Sequence, residues 1–197
     1  MADATSVSGA ITGSENTLSF ETGKLAGLAD GAVVAQIGDT VVLVTATAAK
    51  GVREGIDFFP LTVEYRDRPA AAGKIPGGFF KREGRPTTEE ILRARIIDRS
   101  CRPLFPEGFR NEVQIIVNTM AYDQDNAPDC LAVNAASLAL CLSSAPFGGP
   151  VSAVRIAKID GRVVPYPSDR DLDRAEWECV FVGLNGKINM IEAGGAE

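Results

Sequence analysis

The stretch Gly77-Gly78-Phe79-Phe80-Lys81-Arg82-Glu83-Gly84-Arg85-Pro86 sets two adjacent aromatic rings between a glycine pair and a cluster of three cations. Glycines on both sides argue against a regular element, because glycine in a helix or strand interior loses backbone entropy without adding packing. The segment reads as a loop presenting Lys81, Arg82 and Arg85 beside two large ring faces. Single-stranded nucleic acid calls for that combination. Cations neutralise phosphates, and a ring face gives a base something to stack on, at about 1–3 kcal/mol per base. The same residues also fit a solvated loop with a hydrophobic anchor, and the flanking sequence weighs between the two.

The net charge of −6 speaks against nucleic acid only when the chain is read as a whole. Between Arg66 and Arg102 lie ten of the twenty basic residues against five acidic ones, a local balance of +5 that leaves −11 for the remainder. A focused positive patch on an acidic body attracts phosphate locally while the rest of the surface repels it. The chain has four cysteines, none in a C-x-x-C, and no histidine. That pattern speaks against a zinc site or redox dithiol and removes every Ser-His or Cys-His nucleophile pair. Cys101, Cys130 and Cys141 fall in apolar helical patterns and read as small buried hydrophobes. No apolar run reaches the length of a membrane span, and the N-terminus has neither the basic nor the apolar part of a signal peptide. A cytoplasmic protein without membrane contact is the expectation.

Residues 1–16 are small and polar and read as a flexible leader to a domain over 17–197. Leu18–Phe20, Ala32–Ile37 and Thr40–Thr47 read as strands, the last two joined by a Gly38-Asp39 turn. The nearly continuous apolar run of Thr40–Thr47 suits a strand covered on both faces. Phe58–Tyr65 is a fourth strand. The loop from Arg66 to Pro86 then runs for about 20 residues, a length that marks functional or disordered segments. Thr87 and Glu90 match the Thr-x-x-Glu capping box, so a helix is expected from about Thr88 to Arg102. Arg95, Arg99 and Arg102 follow at helical spacing on one face. That stripe fits a solvated face paired with Asp98 and the early glutamates, or a continuation of the loop's electropositive surface. Beyond it come a strand at Glu112–Thr119, an apolar helix at Cys130–Ser143, and strands at Val151–Ile159, Arg162–Val164, Glu178–Val182 and Lys187–Glu192. Strands grouped before and after two helices define an α+β fold.

The string Phe79-Phe80-Lys81-Arg82-Glu83-Gly84-Arg85-Pro86, with Ala94-Arg95-Ile96-Ile97-Asp98-Arg99 and Arg102-Pro103-Leu104-Phe105-Pro106-Glu107-Gly108-Phe109 after it, resembles the polynucleotide phosphorylase (polyribonucleotide nucleotidyltransferase) family. The likeness is to the first of that family's two RNase PH-like domains. It also covers Glu21-Thr22-Gly23, Gly38-Asp39-Thr40, Asp57–Val63, Gly73–Gly77 and Met190-Ile191-Glu192. The resemblance implies an RNase PH-like fold and a family reaction, the 3′→5′ phosphorolytic degradation of RNA by inorganic phosphate to nucleoside diphosphates, assisted by Mg2+. It also implies a homotrimeric ring with single-stranded RNA threaded through its aperture. Carried over by residue, Phe79 and Phe80 supply the stacking constriction, and Lys81, Arg82 and Arg85 grip the backbone. Arg95, Arg99 and Arg102 extend that RNA-binding surface. Lys81 stands where many relatives have arginine, so it would hold phosphate as a point charge rather than a fork.

Two departures bear on chemistry. Active domains of this kind open a helix with a Gly-Gly-Thr-Arg-like segment, whereas this chain has Asn126-Ala127-Pro128-Asp129-Cys130-Leu131, whose Asp129 repels phosphate. Glu176 and Glu178, flanking Trp177, are the nearest counterparts of an acidic pair and read as a charged strand start. No catalytic or metal-ligating residue is therefore assigned, and the resemblance places the chemistry in a second domain absent from this chain. Two alternatives stand beside this reading. One is a fragment phosphorolytic in its own right, using Glu178 and the arginine stripe. The other is an inactive structural ring subunit of an exosome-type assembly, which burial of both Phe79 and Phe80 would favour.

Overall fold

A computed structural model describes residues 4–195. β1 (Thr5–Ala10), β2 (Thr17–Thr22), β3 (Gly31–Ile37), β4 (Thr40–Ala48), β5 (Leu61–Arg66) and β6 (Val113–Ala121) form a six-stranded sheet in the order β1-β2-β3-β4-β6-β5. Its pairs are antiparallel except β5 with β6, which run parallel and are joined across α1 (Thr88–Cys101). After α2 (Pro128–Leu142), β7 (Ser152–Ile159), β8 (Arg162–Pro165), β9 (Trp177–Leu184) and β10 (Lys187–Gly195) form a second, antiparallel sheet in the order β10-β9-β7-β8. A single helical turn, α3 (Asp169–Leu172), links β8 to β9.

The core follows from period-two burial on the large sheet and an all-round apolar helix laid on it. Val33, Ala35 and Ile37 of β3, Val42, Val44 and Ala46 of β4, and Val113, Ile115 and Val117 of β6 are buried on one face. α2 covers that face and is itself buried at almost every position from Pro128 to Leu140, as a largely apolar helix packed on both sides must be. Its approach is so close at Gly31 that a Cβ there would stand 2.1 Å from the carbonyl oxygen of Ala139. On its other side α2 is pinned to the second sheet by buried polar groups. Asn134 donates to the carbonyl of Ala153 and accepts from its N–H, and Ser137 accepts from the N–H of Val151. Each such group would be costly unpaired, so together they fix the helix's azimuth.

Four expectations need correction. Thr5–Ala10 is not a loose leader but β1, paired antiparallel with β2 from Thr5 opposite Thr22 to Ala10 opposite Thr17. All six of its residues are exposed, so main-chain hydrogen bonds hold it without the apolar alternation that would have marked it. Residues 1–3 of that leader lie outside the described residues. β4 is fully buried on one face only, with Val41, Leu43 and Thr45 half-buried on the other. β5 starts at Leu61 rather than Phe58, because Pro60 offers no N–H to a ladder and Phe59 turns aside to pack on Phe105 and Phe109 at 4.6 and 5.4 Å between centroids. Cys101, Cys130 and Cys179 are buried, but Cys141, in the last turn of α2, is exposed.

One end of the large sheet gathers several loops. The β3–β4 turn, the segment after β6 and the start of α2 meet there through Asp123. Its carboxylate accepts from the Thr40 hydroxyl, the N–H groups of Asp39, Asp125 and Asn126, and the Asn126 side-chain amide, at 2.7–3.1 Å. Burial pushes this acid's pKa up, but the Asn126, Asp125 and Thr40 hydrogen bonds outweigh that and hold it at about 2. Gly38 turns with φ +55°, and a Cβ there would stand within 2.8 Å of Asp123 and Asn126.

Candidate nucleic-acid interface

The basic loop leaves the same end of the sheet, from the last residue of β5 to the cap of α1. Its neck is closed by one side chain. Glu90, buried in the first turn of α1, accepts from the N–H of Asp67 at 2.8 Å on one carboxylate oxygen and from the N–H of Thr87 at 2.6 Å on the other. The second bond, with the Thr87 hydroxyl accepting from the Glu90 N–H, is the expected capping box. The first was not legible in the sequence, and it ties the far end of the loop to the helix as well.

The outgoing arm is pinned further. Asp67 accepts from the Thr119 hydroxyl at 3.0 Å and pairs with Arg93, whose guanidinium lies over the Tyr65 ring. A 3-10 turn at Pro69–Ala72 is capped by Gly73 in the left-handed region and bound to the body by the N–H of Tyr122 donating to Ala71. Arg68 sends Nε and Nη2 to the side-chain oxygen of Asn118 on β6, at 3.1 and 2.9 Å, and Nη1 to the carboxylate of Glu83 on the returning arm.

Between these anchors the chain carries the aromatic pair outward. Gly78 at φ +79° and Lys81 at φ +51° turn the backbone on either side of it. Phe79 is 93% exposed and Phe80 82%, with centroids 5.5 Å apart and planes near perpendicular. Ile75, 77% exposed, adds a third apolar side chain at the tip. So much apolar surface on a solvated loop marks a site of contact. The exposure of both rings removes the condition under which the purely structural subunit was to be favoured.

Lys81, Arg82, Arg85 and Arg95 are exposed, and none forms an ion pair among the described residues. A depression of about 490 Å³ beneath the loop is lined by Arg66, Arg82, Arg85 and Glu90. It shares Arg66 and Glu90 with a second, of about 340 Å³, between β5 and α1. The second shares Arg95 and Asp98 with a third, of about 450 Å³, that reaches Arg99, Arg102 and Pro103. The three depressions adjoin through these shared residues along α1, each with at least one arginine beside acidic neighbours.

The three arginines of the predicted stripe line one depression, but they are not equally free. Arg95 and Arg99 face this depression, Arg99 standing 3.7 Å from Glu192. Arg102, at the far end of the same depression, is tied to the protein. It pairs with Asp98 at 2.6 and 2.8 Å, donates to the carbonyls of Phe59 and Leu61, and lies over the Phe59 ring. It holds the start of β5 to α1 and spends most of its donors on the protein, while its side chain still lines the third depression beside Arg95 and Arg99.

At the start of α2 the anion position is filled from within. One Asp129 oxygen accepts from the N–H of Cys130 at 2.6 Å, and the other pairs with Arg155, which also pairs with Glu178. Burial alone would lower the Arg155 pKa, but Asp129 and Glu178 outweigh it and raise it, while burial pushes the Cys130 thiol up. Sequence reasoning missed Arg155, whose partners lie 23 and 26 residues away. Glu176 is paired separately with Lys158 at 2.6 Å. Glu176 and Glu178 are thus bound to different cations, and the pair does not fit a divalent metal.

A six-stranded sheet and a four-stranded sheet enclosing one buried helix define an RNase PH-like fold. The chain is similar to rice Rrp46, with a TM-score of 0.70 and 17% identity over 90% of this chain and 81% of that one. It is similar also to a chain of the Archaeoglobus fulgidus exosome, in a structure with RNA bound to its active site, at a TM-score of 0.68 and 16% identity over 99% and 78%. These identities show the fold. The chain belongs to the 3′ exoribonuclease family, whose domain 1 model it matches over residues 16–146. It is 51% identical over 181 residues to the polyribonucleotide nucleotidyltransferase of Heliobacterium modesticaldum, and 54% over 176 residues to that of Acidiphilium cryptum. These matches take in 92% and 89% of this chain but 26% and 24% of the relatives, so it spans about a quarter of their length.

Proposed function

We propose that this chain is the RNA-guiding first domain of a polyribonucleotide nucleotidyltransferase, an enzyme of 3′→5′ phosphorolytic RNA degradation. The observation that carries the reading is the outward Phe79–Phe80 pair beside the unpaired Lys81, Arg82 and Arg85. Single-stranded RNA stacks a base on each ring, and its phosphates pass Lys81, Arg82 and Arg85 into the depressions toward Arg95 and Arg99. Arg102 lines the far end of the same depression while holding the start of β5. The phosphorolytic step, which consumes inorganic phosphate and releases nucleoside diphosphates, belongs to the part of such a protein outside this match. The self-filled anion position at Asp129 supports that division, as do Glu176 and Glu178, each of which is spent on its own cation rather than free to hold Mg2+. A homotrimer in the cytoplasm is the assembly and place we assign to the whole enzyme. Among the described residues no helix is long and apolar enough to cross a membrane.

The test is RNA binding across a salt series, with magnesium and inorganic phosphate present. Each phosphate contact on a single strand contributes about 0.7 to the slope of log K against log salt. The Arg82→Ala, Arg85→Ala double variant should flatten that slope by about 1.4 and weaken binding. The parent chain should bind without releasing nucleoside diphosphate. An unchanged slope in the double variant would sink the reading, and product release would move the chemistry onto this domain.

A further inference from the structure

We propose that Glu83, acting through Arg68 and Asn118, is a positioning residue that tightens RNA binding by holding the aromatic tip in place, although it lowers the charge of the loop. The inference rests on the RNA-guiding reading above.

Glu83 is an odd residue for an RNA-facing loop. It follows Lys81 and Arg82 directly, and a negative charge there opposes phosphate. Its carboxylate, however, is turned back onto Arg68, whose guanidinium is already held by two hydrogen bonds to Asn118 on β6. Asn118 lies opposite Arg66 in the parallel pairing of β5 with β6, well inside the large sheet. The guanidinium therefore bridges a rigid strand and the loop's returning arm. An isolated exposed ion pair stabilises little, because it must order two long side chains. Here Arg68 is ordered before Glu83 docks, so most of that cost is already met.

The consequence is positional. Among the described residues, 75–82 make no hydrogen bond to the rest of the protein. The last tie of the outgoing arm is the Lys74 N–H to Pro69, and the first firm tie of the returning arm is Glu83. Arg66 reaches the Gly84 carbonyl only at 3.4 Å, on the surface. Without Glu83 the unsupported span runs on to Thr87, where Glu90 holds the neck. A longer free span populates the RNA-competent tip less, and apparent affinity falls by that fraction.

Charge and position predict opposite signs, which makes the test sharp. Dissociation constants for a fluorescent single-stranded oligoadenylate would be measured for this chain and for Glu83→Gln, Glu83→Ala, Arg68→Ala, the Arg68→Ala/Glu83→Ala pair, and Arg82→Ala/Arg85→Ala. Positioning ranks parent tightest, glutamine next because it keeps an acceptor, and alanine weakest by about five- to tenfold. Adding Glu83→Ala to Arg68→Ala should change affinity by less than about twofold, because both remove one tie. A Phe79→Trp reporter should gain mobility in the Glu83→Ala background, seen as lower fluorescence anisotropy. Binding by Glu83→Ala as tight as the parent's, or tighter, with Arg82→Ala/Arg85→Ala weakened, overturns the clamp and leaves the RNA-guiding reading standing. Unchanged binding by Arg82→Ala/Arg85→Ala overturns the RNA-guiding reading, and the clamp with it.

Discussion

Replacing Glu90 by alanine removes an acceptor from both ends of the basic loop at once. The carboxylate is 6% exposed as part of its residue, and both of its hydrogen bonds are to main-chain N–H groups, at 2.8 Å to Asp67 and 2.6 Å to Thr87. A hydrogen bond to a charged group contributes about 1.5–3 kcal/mol. Thr87 is exposed and its N–H can turn to water, whereas Asp67 is half-buried and stands to lose more. The sum expected is about 2–4 kcal/mol, close to a loss of the Asp67 tie plus part of the Thr87 tie. Much of it should appear as local opening, because the loop can detach while α2 and the two sheets stay packed. Native-state hydrogen exchange reads this directly. At about 1.4 kcal/mol per tenfold, protection of the Asp67 amide should fall by about 30- to 700-fold in Glu90→Ala. Amides of β4 and β6 should change far less. Glu90→Gln, with one acceptor oxygen left and an NH2 facing the other N–H, should fall between. Equal protection of Asp67 in parent and alanine variant, or a ranking that puts glutamine below alanine, would refute the single-carboxylate neck.

Two further outcomes follow from the interior charges. Asp123 has its folded pKa lowered from 3.8 to about 2, so the unfolded chain takes up this proton at a higher pH than the folded one. Its contribution is complete above about pH 4 and is lost as pH falls toward 2. Discounted for its partial exposure it amounts to about 1 kcal/mol, and Asp123→Asn should lose that step in urea titrations between pH 5 and 2. Arg155→Met leaves Asp129 buried without its cation, which should cost about 3–5 kcal/mol by denaturant melts, and adding Asp129→Leu should return most of it. A double variant no more stable than Arg155→Met would show that the ion pair is not what that substitution breaks.

What the sequence makes legible here depends on how far apart the interacting residues lie. The capping box is read within four residues, and the structure forms it between Thr87 and Glu90. The Gly38-Asp39 hairpin and the largely apolar α2 are equally local, and both form. Helical spacing places Arg95, Arg99 and Arg102 near one face, but it cannot show that the face changes neighbours along its length. Arg102 meets the Phe59 and Leu61 carbonyls from more than 40 residues away, and only the fold brings them together. β1 escaped because its pairing is all main chain. Arg155 escaped because its partners are distant and its own neighbours along the strand are apolar or small.

The same distinction sharpens the charge argument for the interface. Of the five acids in the Arg66–Arg102 window, four are spent within the structure: Asp67 on Arg93, Glu83 on Arg68, Asp98 on Arg102, and Glu90 on the loop's neck. The arginines they neutralise are those that hold the loop and helix to the sheet. Lys74, Lys81, Arg82, Arg85 and Arg95 are left facing solvent without an ion pair among the described residues, with Glu89 the one unpaired acid of the window. Counting residues yields +5 for the window. The fold separates that count into a neutralised base and a cationic outer face, and it sets the two exposed rings on the cationic side. On the reading proposed above, a nucleic acid would meet the second set alone, so the attraction at short range would exceed what the −6 of the whole chain suggests, and high salt should weaken it most where Lys81, Arg82 and Arg85 stand closest together.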